Sequence, residues 1–287
     1  FRILVLTLIA SILPEIVLRE LTGSVPAVLP FVKLGILAIS FAFFWYVKSI
    51  KTVKYTVVLI VIILVEIATR AIISTDLWKT TFDINSFVGN FGGSILLKVI
   101  GIIPVIVILI VLFRSSKEVY LAVGDLSVKA DEIRWLNIKK NQISWGKLAL
   151  ISAFLIALGT ILLTVVTVTG SSADLNTDNL IKYFPFVVLF AAFNSLSEGI
   201  VYRNAILGSL RHVLPKHQTI LVAAMLFGIA HYYGAPSGVV GVIMSAILGW
   251  FMCRSMVETK GSVSSWFIHF MQDVVIFSTI LLLANYY

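Results

Sequence analysis

Five ionisable side chains lie within apolar runs in the last third of the sequence: Glu198, Arg203, His231, His269 and Asp273. An ionisable group in a membrane helix costs several kcal/mol unless it is paired or faces water. Glutamate and histidine are also side chains that activate water as general bases. These residue types in this setting predict a polar, water-activating site inside a bilayer.

The spacing of these residues predicts that they meet. Phe227 and His231 are four residues apart, as are His269 and Asp273, so each pair shares a helix face. At about 1.5 Å per residue, Glu198, His231 and Asp273 lie about 18–19 Å from the inner ends of their spans, and His269 about 12 Å. We therefore expect the tips of Glu198, His231 and His269 to lie within one water molecule's reach.

Each motif also has a structural interpretation. His231 alone would be a satisfied core group, Glu198 with Arg203 an intramembrane ion pair, and His269 with Asp273 a helix-packing hydrogen bond. Their agreement in depth favours one functional site. Other charged residues in or near the apolar runs are expected to snorkel or to form structural pairs: Glu15, Lys33, Glu66, Arg70 and Lys98.

The composition indicates an integral membrane protein. Of 287 residues, 59% are hydrophobic and only 13% charged, whereas soluble domains carry about 25% charged residues. The net charge of +8 reflects Lys and Arg in cytoplasmic loops, so nucleic acid is not an expected partner. We predict an all-α fold, a polytopic membrane bundle of about eight or nine transmembrane helices. The apolar runs cover residues 3–18, 26–47, 55–73, 94–113, 148–169, 183–210, 219–235, 238–253 and 263–285.

The charges between the runs predict the topology. Lys and Arg concentrate in alternate connections, which places the N-terminus inside and the C-terminus outside, in the cell membrane if the protein is prokaryotic. Residues 74–93 are predicted to be a polar outer loop. We divide the chain into an N-terminal four-helix membrane region (1–113), a cytoplasmic loop with amphipathic pieces (114–147) and a catalytic membrane core (148–287).

The three polar stretches, taken in order, resemble the CPBP family: type II CAAX prenyl endopeptidases and their Abi and lysostaphin-resistance-protein-A-like relatives. That family shows Glu-Glu-x-x-x-Arg, then Phe-x-x-x-His, then His-x-x-x-Asn or Asp. Glu198 and Arg203 match the first motif, Phe227 and His231 the second, and the last pair here is His269 and Asp273. The resemblance covers residues 145–277.

The resemblance implies roles for these residues. Glu198 and His231 would activate a water molecule, His269 and Asp273 would hold the oxyanion, and Arg203 and Phe227 would support the site. Gly199 departs from the family, because it stands where the second glutamate is found. A charged Asp273 is a poor oxyanion donor, so it would have to be protonated or orient His269.

We predict that the protein needs no cofactor. If a metal is bound, zinc held by Glu198, His231 and His269 is the alternative, although the sequence contains no His-Glu-x-x-His. The expected substrate is a peptide or membrane protein, including a prenylated CAAX-type one, entering from the cytoplasmic side.

Three functions remain open. The first is an intramembrane endopeptidase resembling CAAX prenyl protease 2. The second is a non-enzymatic membrane scaffold or regulator of the same fold. The third is a proton-coupled transporter, for which internal repeats would be expected and none are found in the sequence.

Overall fold

The protein folds as a bundle of α-helices, as predicted. The structure is a computed structural model and describes residues 2–169, 176–234 and 236–283. Within these ranges it contains no strand, and only two isolated β-bridges occur. The helices are α1 (Arg2–Ala10), α2 (Leu13–Thr22), α3 (Leu29–Tyr46), α4 (Ile50–Ser74), α5 (Asp76–Thr81), α6 (Phe87–Phe113), α7 (Trp145–Thr169), α8 (Thr177–Glu198), α9 (Ala205–Leu210), α10 (Lys216–Ala230), α11 (Gly238–Thr259) and α12 (Val263–Leu283).

Seven helical stretches in the described part of the chain are long and apolar enough to cross a membrane. One of them runs through α8 and α9, and α10 is a shorter apolar helix of 15 residues. The first apolar run of the sequence is not one helix but α1 and α2. Pro14 lies in the first turn of α2 and has no N–H to continue a helix from α1, so the chain restarts there. Residues 284 and 285 of the last run lie outside the described residues.

The connection between α4 and α6 lies at the end of the bundle opposite to residues 114–144. Lys54 Nζ, near the start of α4, donates to the carbonyl of Leu112, near the end of α6, at 2.7 Å. These helices are therefore antiparallel. The connection was predicted to be a loop, but it contains the short helix α5, which Thr75 caps by accepting from the Trp78 N–H.

Residues 114–144 form a compact, mostly irregular segment rather than amphipathic α-helices. The segment has one short 3₁₀ turn at Arg134–Leu136. It docks on the joint between α11 and α12, where the Asp125 N–H donates to Thr259 and the Ser262 N–H donates to Ala122. Val119 and Ile133 of the segment are 0% and 1% exposed and belong to hydrophobic clusters with the helices. Its apolar side chains are therefore buried without forming the helix face that the sequence suggested.

The helices of the N-terminal region pack directly on the C-terminal core. α6 contacts both α4 and α8, α8 packs against α12, and α10 packs against α11. Phe227 of α10 is 1% exposed and belongs to a hydrophobic cluster with Phe251 and Met252 of α11 and Ile268 of α12. Side chains from α6, α8, α10 and α12 can therefore reach a common interior.

Candidate active site

Glu198 lies at the centre of a polar cluster inside the bundle. Its Oε2 atom is 3.7 Å from His231 Nε2 and 3.7 Å from His269 Nε2. The three side chains come from α8, from the end of α10 and from α12. Glu198 Oε2 is buried and makes no hydrogen bond to the described residues. A carboxylate oxygen and two imidazole nitrogens thus converge on one small space.

A π-helical turn follows Glu198 and aims Arg203 at the same site. In an α-helix, residues five apart point roughly 140° away from each other. The π turn over Gly199–Asn204 contains more residues per turn, which brings residue 203 round toward the side of Glu198. Arg203 is 1% exposed, and its Nη2 atom donates to His269 Nδ1 at 3.3 Å.

The two histidines carry their protons on different ring nitrogens. Arginine only donates hydrogen bonds, so His269 Nδ1 accepts from Arg203 and the neutral ring carries its proton on Nε2. His231 Nδ1 lies 2.7 Å from the carbonyl oxygen of Phe227, which only accepts. His231 therefore carries its proton on Nδ1, and its Nε2 lone pair faces Glu198 Oε2. One imidazole is set to accept a proton and the other to donate a hydrogen bond.

Phe227 forms a wall against both imidazoles. Its ring centroid is 4.3 Å from that of His231 and 5.3 Å from that of His269, with the second pair edge to face. The Arg203 guanidinium carbon lies 5.1 Å from the same centroid. This packing restricts the rotation of both rings.

Asp273 is held between His269 and a residue that the motifs do not contain. Asp273 Oδ1 lies 3.4 Å from His269 Nε2, and Oδ2 accepts from Asn194 Nδ2 at 3.0 Å. Asn194 is four residues before Glu198, on the same face of α8. The structure therefore places Asp273 beside His269. The i, i+4 spacing to Glu198 was the signal for Asn194 in the sequence.

Lys98 of α6 also belongs to the site, although it was expected to snorkel or to pair elsewhere. Its Nζ atom donates to Glu198 Oε1 at 2.8 Å and to Asn194 Oδ1 at 2.6 Å. Its side chain is 40% exposed and lines a cavity next to the site. The signal in the sequence was a charge near the middle of the most hydropathic span, where a functional role is the default.

The remaining intramembrane charges form a separate cluster, as the structural interpretation predicted. Lys33 Nζ lies 2.8 Å from Glu15 Oε1 and 3.3 Å from Glu66 Oε2, and Arg70 Nη2 lies 2.7 Å from Glu66 Oε1. These pairs join α2, α3 and α4. They offer a comparison set of paired charges that do not contact Glu198. Lys33 and Glu15 are buried, whereas half of the Arg70 side chain is exposed.

The donor atoms of Glu198, His231 and His269 lie within 4.8 Å of one another, a set that zinc uses. Their surroundings do not fit a divalent cation. Metal binding at His269 Nε2 would place the ring proton on Nδ1, against the Arg203 N–H. The Lys98 ammonium already occupies Glu198 Oε1 and would repel a cation a few ångströms away. The zinc alternative therefore has suitable ligands, but the two cations that contact those ligands, Arg203 and Lys98, oppose a metal ion.

A cavity of about 490 Å³ reaches the site from the α5 end of the bundle. Glu198 and Lys98 line its inner part, and Trp78 and Phe82 line the part next to α5. Most of the other lining side chains are apolar. The cavity thus leads from Glu198 away from residues 114–144, not toward them.

One family of known proteins matches part of this chain. Residues 180–275 match the model of the family described as Type II CAAX prenyl endopeptidase Rce1-like. The matched range contains all six motif residues and excludes Lys98. No curated protein and no solved structure matches the chain.

Proposed function

We propose that this chain, which belongs through residues 180–275 to the type II CAAX prenyl endopeptidase Rce1-like family, hydrolyses a peptide bond within the membrane with water activated by Glu198. The observation that carries the proposal is the convergence of Glu198 Oε2 on two imidazole Nε2 atoms, each at 3.7 Å. Two such distances suit a water molecule hydrogen-bonded between the groups.

The geometry supports a division of labour between the oxygens of Glu198. Lys98 engages Oε1, so Oε2 is the atom that takes a proton from water. His231 Nε2 accepts the second hydrogen bond of that water and orients it. The water oxygen then attacks the scissile carbonyl carbon. Glu198 passes the proton to the departing amine as the carbon–nitrogen bond breaks, which leaves a carboxylate product.

Charge that develops on the carbonyl oxygen needs donors. Arg203 donates to His269 Nδ1 and so fixes the proton on Nε2, an atom that lies 3.4 Å from Asp273 Oδ1. This N–H stabilises the charge only when the carbonyl oxygen of the substrate replaces Asp273 as its acceptor. The Lys98 ammonium donates two of its three N–H groups to Glu198 and Asn194. The third can donate to the carbonyl oxygen of the substrate. Asp273 acts through His269 as a positioning residue.

The cavity supports entry of an apolar substrate segment from the α5 end. Lys and Arg concentrate at the other end of the bundle, around residues 114–144. The sequence-based expectation of cytoplasmic entry therefore lacks support from this cavity. The substrate class that fits is an apolar or lipid-modified peptide, and farnesylated CAAX-type peptides are the first probe because of the family.

The test uses purified protein in detergent micelles with three fluorogenic peptides: a farnesylated CAAX-type peptide, its unfarnesylated form and an apolar transmembrane sequence. Products are identified by mass spectrometry. We expect at least one peptide to be cleaved, and Glu198→Gln to lower kcat by about 10²–10⁴-fold. Glu66→Gln, which alters a carboxylate of the separate cluster, should retain kcat.

Two outcomes decide against the proposal. Cleavage that persists in Glu198→Gln would assign the activity to another site or a contaminant. No cleavage of any peptide would favour the non-enzymatic scaffold, for which Gly199 in place of the second family glutamate is the supporting observation.

A further inference from the structure

A second cavity, of about 350 Å³, lies at the end of the bundle that carries residues 114–144. The start of α4, the end of α6 and the end of α9 enclose it, and Lys51, Lys54 and His212 line its wall. Its volume is in the range of small-ligand sites, roughly 300–1,000 Å³. It has no lining residue in common with the cavity that reaches Glu198, among the residues described. It is therefore a separate candidate binding site.

Positive charge is in excess around this cavity. The three chain segments that supply its walls contain six Lys and Arg side chains and a single carboxylate, that of Glu118. This carboxylate faces His212 Nε2 at 3.8 Å, and none of the six cations forms an ion pair with a described residue. The site therefore lacks the internal charge balance of the polar cluster around Glu198. The six cations, from residues 48–54, 113–118 and 209–212, are Lys48, Lys51, Lys54, Arg114, Lys117 and Arg211.

Lys54 is held in place by the protein. Its Nζ atom donates to the Leu112 carbonyl at 2.7 Å and lies 5.3 Å from the centroid of the Phe113 ring. An ammonium has three N–H groups, so two remain for a ligand. Lys51 lies three residues earlier, on the same side of α4, and its ammonium contacts no described residue. Two ammonium groups without a carboxylate thus line one cavity.

The cavity lies at the level of the membrane surface. Trp45 and Tyr46, at the end of α3, are 62% and 84% exposed, and such aromatic side chains concentrate at membrane–water interfaces. The cavity also has an apolar wall, which includes the exposed side chain of Ile50. Exposed Val107 and Val111 continue the apolar surface along α6 toward the bilayer interior. A ligand with a charged head and apolar chains therefore matches the site.

We propose that this cavity binds the phosphate of an anionic phospholipid, one whose headgroup carries no cation, such as phosphatidylglycerol. Basic pockets between membrane helices bind such headgroups. Lys51 and Lys54 donate to the phosphate oxygens, and the acyl chains lie against α6. A water molecule or a zwitterionic headgroup, which is neutral overall, would leave the surplus positive charge in place. The lipid joins the ends of α4, α6 and α9, of which α6 carries Lys98 and α9 follows the π turn with Arg203.

The test is thermal unfolding of the purified protein in an uncharged detergent, titrated with phosphatidylglycerol or with phosphatidylcholine of the same acyl chains. We expect phosphatidylglycerol to raise Tm in a saturable way, by roughly 2–5 °C for each tenfold increase above Kd, and phosphatidylcholine to leave it unchanged. Inorganic phosphate at constant ionic strength should give no shift, because it lacks the acyl chains. The readout needs no substrate, so it stands apart from the peptidase proposal.

The double variant Lys51→Gln/Lys54→Gln removes both ammonium groups from the cavity wall and should lose most of the response to phosphatidylglycerol. Lys139→Gln/Lys140→Gln is the matched control, because it removes the same charge from two exposed lysines of residues 114–144 that do not line the cavity. It should keep the full response. Native mass spectrometry from mixed micelles checks binding directly, and the wild type should retain phosphatidylglycerol in preference to phosphatidylcholine.

Equal responses of the wild type to the two lipids would overturn the proposal. A response lost in both double variants would do the same, since it would mean that only the total charge matters. A shift with inorganic phosphate as large as with phosphatidylglycerol would overturn the assignment to a lipid. Should the Lys51 and Lys54 double variant fail to fold, Lys51→Gln alone decides by its weaker response, because the Lys51 ammonium makes no contact with the described protein.

Discussion

Lys98 Nζ lies 2.8 Å from Glu198 Oε1, although the two residues are 100 positions apart. Lys98 comes from α6, outside the range that matches the family, and Glu198 from the first family motif. The N-terminal helices therefore contribute a charged group to the candidate active site. They do more than enclose it.

Lys98→Met should lower kcat by about 100-fold, because the freed carboxylate no longer presents Oε2 to the two imidazoles. Lys98→Arg keeps the charge and should recover part of the loss. The measurement is steady-state cleavage of whichever probe peptide the wild type cleaves, with KM recorded separately.

Lys33→Met is the matched control for Lys98. It removes a lysine that is more deeply buried than Lys98, with 2% of its side chain exposed against 40%, from an ion pair with Glu15. It should cost about 3–5 kcal/mol of stability and leave kcat of the folded fraction unchanged. Equal kcat losses in both lysine variants would mean that Lys98 acts only through the fold.

The hydrogen bond from Asn194 Nδ2 to Asp273 Oδ2 should be re-formed when the two residues exchange places. Asn194→Asp and Asp273→Asn each leave buried polar atoms badly paired, at about 1–3 kcal/mol, so each should lower kcat about 5- to 100-fold. The double exchange restores an acceptor for Lys98 and an acceptor for His269. It should be more active than either single variant. A double variant with the product of the two losses would refute this pairing.

The purified protein should contain no stoichiometric zinc, and added Zn²⁺ should not raise Tm, because Lys98 and Arg203 oppose a cation at the three donor atoms. Elemental analysis after dialysis and a zinc titration check this. Stoichiometric zinc that is lost in Glu198→Gln would contradict this prediction. It would show that the three ligands bind zinc despite the positive charges of Lys98 and Arg203.

Gly261 contacts the backbone of Gly124 where residues 114–144 dock on the joint of α11 and α12. A Cβ atom at residue 261 would overlap that backbone, so Gly261→Ala should lower stability by about 1–3 kcal/mol and expose residues 114–144 to proteolysis. A Cβ atom at residue 159 would meet nothing within 4 Å, so Gly159→Ala should be neutral or stabilising. Equal behaviour of the two variants would contradict the docking.

The sequence predicts much of this site because its residues sit in local motifs. The four-residue spacing predicts that His269 and Asp273 are neighbours. Their distances from the inner ends of their spans predict that Glu198 and His231 lie at the same depth in the membrane. Lys98 is marked only by its charge within an apolar span and belongs to no such motif. Its partner lies on a distant helix, and only the packing of α6 on α8 joins them. The break between α1 and α2 was visible in Pro14. Residues 114–144, in contrast, dock through backbone hydrogen bonds and through buried side chains such as Val119 and Ile133, which follow no helical period.

The most direct measurement is a double-mutant cycle of kcat for Glu198→Gln and His231→Ala on a cleaved probe peptide. If both side chains act on one water molecule, the double variant will be no slower than the slower single variant, because either change alone already removes the activated water. A double variant slower by the product of the two single effects would mean that the residues act independently. Full activity in either single variant would contradict the mechanism.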